Sequence, residues 1–264
     1  MNPRPPKPRR TGTTEIRGPY YTPLGTRYLT DLFETAGAYV DSFKFGGGSF
    51  AIMPAPAVKA IIDLCHQNDV SVSTGGFIEY VLTQGPQAVE RYLERCKELG
   101  FDTVEISAGF ITIPPAGTLK LIDQVHAAGM KAKVEVGIQF GAGGASSEEA
   151  LRSQGTRDVA SVVAQAKRFV DEGGADAVML ESEGITESVS REHWRTDVPG
   201  KFADALGLEI LMFEAADPDV FSWYVHTFGP EVNLFVDHSQ IVQLECLRAG
   251  IWGTSATWGR IISY

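Results

Sequence analysis

Eight short stretches rich in β-branched and apolar residues, each leading into a segment of helical apolar spacing, constrain what this chain can fold into more than any other feature. They are residues 13–17, 40–45, 70–73, 102–107, 131–136, 176–181, 209–214 and 232–237. Between them Val58, Ile61, Ile62 and Cys65 follow the i, i+3, i+4, i+7 spacing that lays one apolar stripe along a helix, as do Val89, Tyr92, Leu93 and Cys96. Val159, Val162, Val163, Ala166, Phe169 and Val170 repeat the pattern. Strand-then-helix alternation implies a parallel sheet covered by helices. Eight such units in about 250 residues match a closed barrel, whereas an open doubly wound sheet usually carries fewer strands. The expected class is therefore α/β, a single-domain (β/α)8 TIM barrel over residues 13–250. A basic, proline-rich arm at 1–12 precedes it, and a tail at 251–264 follows.

Composition narrows the function classes. A chain of 264 residues, 44% hydrophobic and 21% charged, can bury a large core, which excludes disorder of the whole. Apolar runs such as Ala177 to Leu180 and Leu211 to Phe213 fall far short of the ~20 residues that cross a bilayer. The opening MNPRPPKPRRTG lacks the apolar segment of a secretory signal, so a cytoplasmic protein is expected. A net charge of −10 disfavours nucleic-acid binding, which requires a basic face. Arg4, Lys7, Arg9 and Arg10 read as a solvated, flexible arm, with a subunit or anion clamp as the alternative. Cys65, Cys96 and Cys246 lack C-x-x-C spacing, which argues against a disulfide framework and a zinc site; the first two continue helical stripes and read as core.

Two connections stand out, and both follow strands, where barrel active sites are assembled. GIQFGAGGASSEEALRSQGT, residues 137–156, suits a lid or a tolerated surface insertion. Residues 182–195 contain His193, Trp194 and Arg195. Gly46-Gly47-Gly48 is too short a signal for a nucleotide loop.

Strand side chains alternate faces, so parity sorts each strand into two sets. Phe43, Phe45, Val104, Ile106, Val134, Val136, Val178, Leu180, Leu211, Phe213, Leu234 and Val236 fall in the set that packs under helices. The opposite set holds Lys44, Ser71, Ser73, Glu105, Lys133, Glu135, Glu181, Glu214 and Asp237. Barrel interiors normally carry branched apolar groups, and an unpaired buried charge costs several kcal/mol. For any one acid an ion pair with Lys44, Lys133 or a loop arginine is the plain alternative. Five carboxylates facing at most two lysines would repel one another unless some are protonated or a cation sits among them. A hard divalent ion such as Mg2+ suits that oxygen-only set, with Glu135, Glu181 and Glu214 as its ligands. Lys44 is the candidate proton donor or anion clamp, alongside Glu105 and Glu135 as catalytic groups. Ser73-Thr74-Gly75-Gly76 can cradle a carboxylate or phosphate or form an ordinary turn. Asp237-His238-Ser239 holds triad residue types, but adjacent residues cannot form a triad by themselves, and Ser239 reads as a helix N-cap. Arg17, Arg195, Asp237, His238 and Ser239 complete the candidate contacts to a small anionic substrate.

The segments VDSFKFGGGS, STGG, LGFDTVEIS, KVEVG, EGGADAVMLES, MFEA, FGPEVNL and LECLRAG, in this order, resemble the phosphosulfolactate synthase family over residues 13–250. KPRRTGTTEIRGPYYT, GPEVNLFVDHSQI and LECLR resemble more closely its plant-type heat-stress-associated branch. The resemblance implies a TIM-barrel lyase that adds sulfite to phosphoenolpyruvate with Mg2+. It carries roles to Lys44, Glu105, Glu135, Glu181 and Glu214, with Gly75 and Gly76 toward the anion. It also implies that the arm belongs to the design of the branch. The departures are Ile138 and Gln139 where synthases tend to place lysines, Ala108 where they tend to place Asp, and Asp237-His238-Ser239 where they are more neutral. Fewer bases and an added acid should weaken binding of two anions. A diverged enzyme that enolises or cleaves a non-phosphorylated substrate is therefore an alternative expectation. A non-catalytic stress protein acting through a protein partner is another. A homo-oligomer without nucleic-acid or membrane partners is expected throughout.

Overall fold

The computed structural model describes residues 1–141, 146–215 and 217–251. The tail expected from 251 onward thus lies outside the described residues except for Ile251. Eight strands close into a barrel in chain order. They are β1 (Thr14–Arg17), β2 (Ser42–Lys44), β3 (Ser71–Ser73), β4 (Thr103–Ile106), β5 (Lys131–Val136), β6 (Ala177–Leu180), β7 (Leu211–Glu214) and β8 (Leu234–Asp237). Each lies inside one of the eight stretches read from the sequence. Two compact units divide the chain, one made of residues 1–73 and 215–264 and the other of 74–214.

In the first unit β1 pairs in parallel with both β2 and β8, and β2 with β3. Helices α1 (Thr26–Ala36), α2 (Ala55–Gln67), α9 (Pro218–Phe228) and α10 (Ile241–Arg248) accompany them. Register sets Glu15 beside Ser42 and Phe235, and Arg17 beside Lys44 and Asp237, so these share the interior face. The other face is apolar and fully buried, as Ile16, Phe43, Leu234 and Val236 show. Glu15 accepts a hydrogen bond from Ser42 Oγ at 2.8 Å.

The arm, expected to be flexible, is strapped to this unit. Arg4 pairs with Glu245 at 2.8 Å and Arg9 with Asp41 at 2.8 Å, while Lys7 donates to the Asn68 carbonyl at 3.0 Å. Asp41 and Asn68 precede β2 and β3, so the basic residues face the N-terminal ends of the strands. Carboxylates are already in place there, which is why the arm orders.

The second unit pairs β4, β5, β6 and β7 in parallel. Helices α3 (Ile78–Thr83), α4 (Pro86–Leu99), α5 (Pro115–Ala127), α6 (Glu148–Gln154), α7 (Val159–Asp171) and α8 (Asp197–Leu206) connect and cover them. Val104, Ile106, Val134, Val178, Leu180 and Phe213 are buried on the face that parity assigns to the helices. Val89, Leu93 and Cys96 of α4, and Val162, Ala166 and Phe169 of α7, are buried as their stripes predict. Each large apolar side chain so buried contributes about 1.5–3 kcal/mol. Burial also pushes the Cys96 thiol up to about 12, as befits a core cysteine.

The 137–156 connection is partly structured, although residues 142–145 lie outside the description. Ser147 Oγ caps α6 by accepting from the Ala150 amide at 3.1 Å. An antiparallel bridge joins Gln139 to Thr156, and Gln139 Nε2 donates to the carbonyls of Leu151 (2.7 Å) and Gly155 (2.9 Å). The excursion therefore closes on its own base.

Candidate active site

In the second unit a pocket opens at the C-terminal ends of β4, β5 and β6. Glu135, Glu181, Arg157, Gln139, Gln165 and Ser107 are among its lining. A Cβ on Gly137 would stand 3.1 Å from the Glu181 Cβ, so a side chain there would crowd that acid. Glu135 and Glu181 are thus brought to one pocket, as parity and family both suggest.

The other acids of this unit are placed differently. Glu105 pairs with Lys133 at 3.0 Å, and the two side chains are only 1% and 3% exposed. It is absent from the pocket lining, and the plain alternative of a structural ion pair describes its position. Glu214, 8% exposed, accepts from the Ser182 amide at a long 3.4 Å. One of the five acids that parity places on this face is thus balanced by a lysine. Among the described residues no group of three or more His, Cys, Asp or Glu is set to hold a metal ion.

Thr74 is used internally, its Oγ1 accepting from the Glu105 amide at 2.9 Å. Gly76 is needed for close approach, because a Cβ there would lie 2.8 Å from Ser107 Oγ. Three residues later stands Glu79, which sequence reasoning missed. Its carboxylate accepts from Ser107 Oγ (2.8 Å) and from the amides of Gly109 (3.0 Å), Phe110 (2.8 Å) and Ile111 (3.1 Å). It thereby shapes the β4–α5 loop beside the pocket. Nothing in STGGFIEY distinguishes it from a solvated helix acid. Replacing Glu79 with alanine should destabilise the protein by about 2 kcal/mol, since hydrogen bonds to charged groups contribute roughly 1.5–3 each and water can replace some of them. Amide exchange at Gly109, Phe110 and Ile111 should rise, and unchanged protection there would refute the assignment.

Arg195 is engaged elsewhere. Its guanidinium holds Asp197 at 2.9 and 3.1 Å at the start of α8, with both side chains exposed. That pairing holds the Asp197 carboxyl well below its ordinary range. The structure thus places Arg195, expected as a substrate contact, in a helix-terminal ion pair.

In the first unit Lys44 and Arg17 end β2 and β1, at 6% and 8% exposure. Lys44 Nζ lies 4.3 Å from the Phe235 ring centroid, and Arg17 Cζ 4.9 Å from the same ring. Arg17 also donates to the Tyr21 hydroxyl at 3.0 Å. Phe235 is a second group missed in the sequence, although its parity matches Asp237. Two cations on one ring form a positive, half-desolvated surface, each contact contributing about 0.5–2 kcal/mol. Ser73, at the end of β3, is fully buried.

Asp237 replaces Ser239 as the cap. It accepts from the Ser239 amide at 3.0 Å, from Ser239 Oγ at 2.5 Å, and meets His238 Nδ1 at 3.1 Å. A carboxylate at the strand end reaches the first free amide of the turn better than the hydroxyl beyond it. Burial lowers the His238 pKa, Asp237 opposes and Arg17 adds to the lowering.

A parallel eight-stranded barrel with titratable groups at the C-terminal strand ends defines the class of barrel enzymes. The profile of the (2R)-phospho-3-sulfolactate synthase (ComA) family matches residues 2–254, and the chain belongs to that family. It is 37% identical over 255 residues, 93% of this chain and 88% of that protein, to Protein HEAT-STRESS-ASSOCIATED 32 of Arabidopsis thaliana. It is 28% identical over 256 residues, 95% of this chain and 93% of the other, to the phosphosulfolactate synthase of Methanothermobacter thermautotrophicus. The carboxyl transferase domain of Rhizobium etli pyruvate carboxylase shares the fold with a TM-score of 0.59 at 10% identity, over 87% of this chain and 40% of that one. Among the described residues no helix is long and apolar enough to cross a membrane.

Proposed function

We propose that this protein is a Mg2+-dependent lyase of phosphosulfolactate-synthase type, adding a nucleophile such as sulfite to phosphoenolpyruvate or a related small anionic carboxylic acid. The observation that carries the reading is the meeting of Glu135 and Glu181 in one strand-end pocket of a chain from the synthase family. Two carboxylate donors fit Mg2+, which is commonly held by one or two carboxylates with water and substrate oxygens completing the shell. Glu135 and Glu181 would hold the ion. Glu214, the third expected ligand, forms no group of three with them among the described residues. When bound, the ion would offset the enolate-like charge that forms on the substrate carboxylate as the nucleophile adds. The family resemblance gives the role of proton donor, toward the carbon adjacent to the one that forms the new bond, to Lys44, a buried amine of the first unit.

Calorimetric titration with phosphoenolpyruvate, with and without Mg2+ and then with sulfite, tests this. Metal-dependent binding followed by a C–S product is the expected result. Absence of both binding and product would overturn it. A second reading, a diverged enzyme acting on a non-phosphorylated substrate, is favoured by Ile138 and Gln139. The first is fully buried, and the second spends its amide closing the 137–156 excursion, so neither presents a cation. Metal binding without affinity for phosphoenolpyruvate would select it. Binding of neither would select the partner-dependent stress protein, the reading that the name of the Arabidopsis relative suggests.

A further inference from the structure

Among the described residues that line the β4–β6 pocket, Arg157 is the one cation. Its placement is built. The Arg157 amide donates to the Ile138 carbonyl at 2.6 Å, directly after the Gln139–Thr156 bridge, so the end of β5 fixes where the side chain begins. The guanidinium lies 5.1 Å from the Phe140 ring centroid, and its Nη2 reaches the Ala108 carbonyl at only 3.4 Å. A ring face and a long bond to one carbonyl leave most of the five donors of a guanidinium available for a planar or tetrahedral oxyanion. Gln165 of the same lining offers a neutral side-chain amide, the Ser107 hydroxyl being already donated to Glu79, and Glu135 and Glu181 belong to the same lining.

We propose that Arg157 is the oxyanion-recognising residue of this pocket, binding the phosphate or the carboxylate of the substrate. The inference rests on the reading of this pocket as the substrate site and names the group that selects an anionic substrate there. Phe140 orients the guanidinium, and the closed base of the 137–156 excursion carries it to the pocket. The carboxylates repel an anion, so Arg157 contributes to affinity only for a ligand whose charge it meets directly.

Inorganic phosphate and acetate separate the two oxyanions without requiring turnover. Each is titrated calorimetrically into the wild-type protein, Arg157→Ala and Arg157→Lys. The expected result is that one anion binds the wild type, binds about tenfold or more weakly to Arg157→Ala, and binds with intermediate affinity to Arg157→Lys, which keeps the charge but not the fork. Dependence for phosphate assigns the phosphate to Arg157, and dependence for acetate assigns the carboxylate. Equal binding to the wild type and Arg157→Ala overturns the proposal, as does binding of neither anion to the wild type. Arg157 is partly exposed, so the variants should fold, and an unchanged Tm confirms it. If phosphoenolpyruvate is not consumed while the Arg157 dependence holds, the lyase reading fails and the oxyanion site stands.

Discussion

Replacing Arg248 with methionine should destabilise the protein by about 3–5 kcal/mol, the usual cost of removing one partner of a buried ion pair. For a chain of this size that corresponds to a fall in Tm of roughly 10 °C. Arg248 is fully buried at the end of α10. It donates to the Val232 carbonyl at 2.7 Å, to Thr14 Oγ1 at 3.0 Å, to the Gly12 carbonyl, and to Glu245 at 3.4 Å. One guanidinium thus ties α10 to the starts of β1 and β8. Burial lowers its pKa to about 9, with Glu245 opposing, which reflects the cost of placing the charge there. Methionine fills similar volume but leaves the Val232 carbonyl and the Thr14 hydroxyl without their donor, while the Gly12 carbonyl keeps Arg4 at 2.7 Å. Glu245 keeps Arg4 at 2.8 Å, which limits the loss. The Glu245 pKa is raised, chiefly by burial, with Arg248 and Arg4 opposing. Removing Arg248 raises it further. A carboxyl whose folded pKa exceeds its unfolded value takes up its proton first in the folded state, so it adds stability as pH falls through the raised value toward the ordinary one. The deficit of the variant should therefore narrow in mild acid. Urea unfolding at pH 7 and pH 5 measures both effects, and a loss below about 1 kcal/mol at pH 7 would contradict the buried-pair account.

The fold was legible because its two periodicities are local. Phe43, Val104, Val134, Val178 and Leu234 alternate with polar residues along strands whose pleat sets the face, and the helical stripes repeat within a dozen residues. The polar face was legible as a set and misjudged in its pairings. Parity gives Glu105 and Lys133 the same face, but only register places them opposite each other, at a contact of 3.0 Å. Arg195 illustrates a local partner that parity and spacing do not reveal, since Asp197, two residues on, pairs with it. The arm shows the reverse error. Its arginines look solvated in sequence because their partners, Asp41 and Glu245, lie 32 and 241 residues away. Glu79 and Arg157 were missed for the same reason. Their roles arise from loops that return to them in space, and neither helical nor strand spacing marks such loops. The family motifs held because they bind many weak local signals into one ordered series across the chain.

Lys44→Met should reduce turnover by about 10²–10⁴-fold, the range that positioned proton transfer contributes. The amine sits at the C-terminal end of β2, 6% exposed, with Nζ 4.3 Å from the Phe235 ring. In the proposed addition the electron pair displaced by the nucleophile collects on the neighbouring carbon, and a proton must reach it from a group that water does not flood. Methionine matches the length and apolar stem of lysine, and the cation–π contact it gives up contributes about 1 kcal/mol. An anion clamp would show a similar loss in Lys44→Met, and Lys44→Arg separates the two roles. Arginine keeps the positive charge at all working pH values and does not release its proton. If Lys44 is the donor, Lys44→Arg should bind phosphoenolpyruvate within a few-fold of the wild type and turn over as poorly as Lys44→Met. If it is only a clamp, Lys44→Arg should recover most of the rate. Full activity in Lys44→Met would remove the amine from the chemistry altogether. It would leave the proton to come from another group at the strand ends.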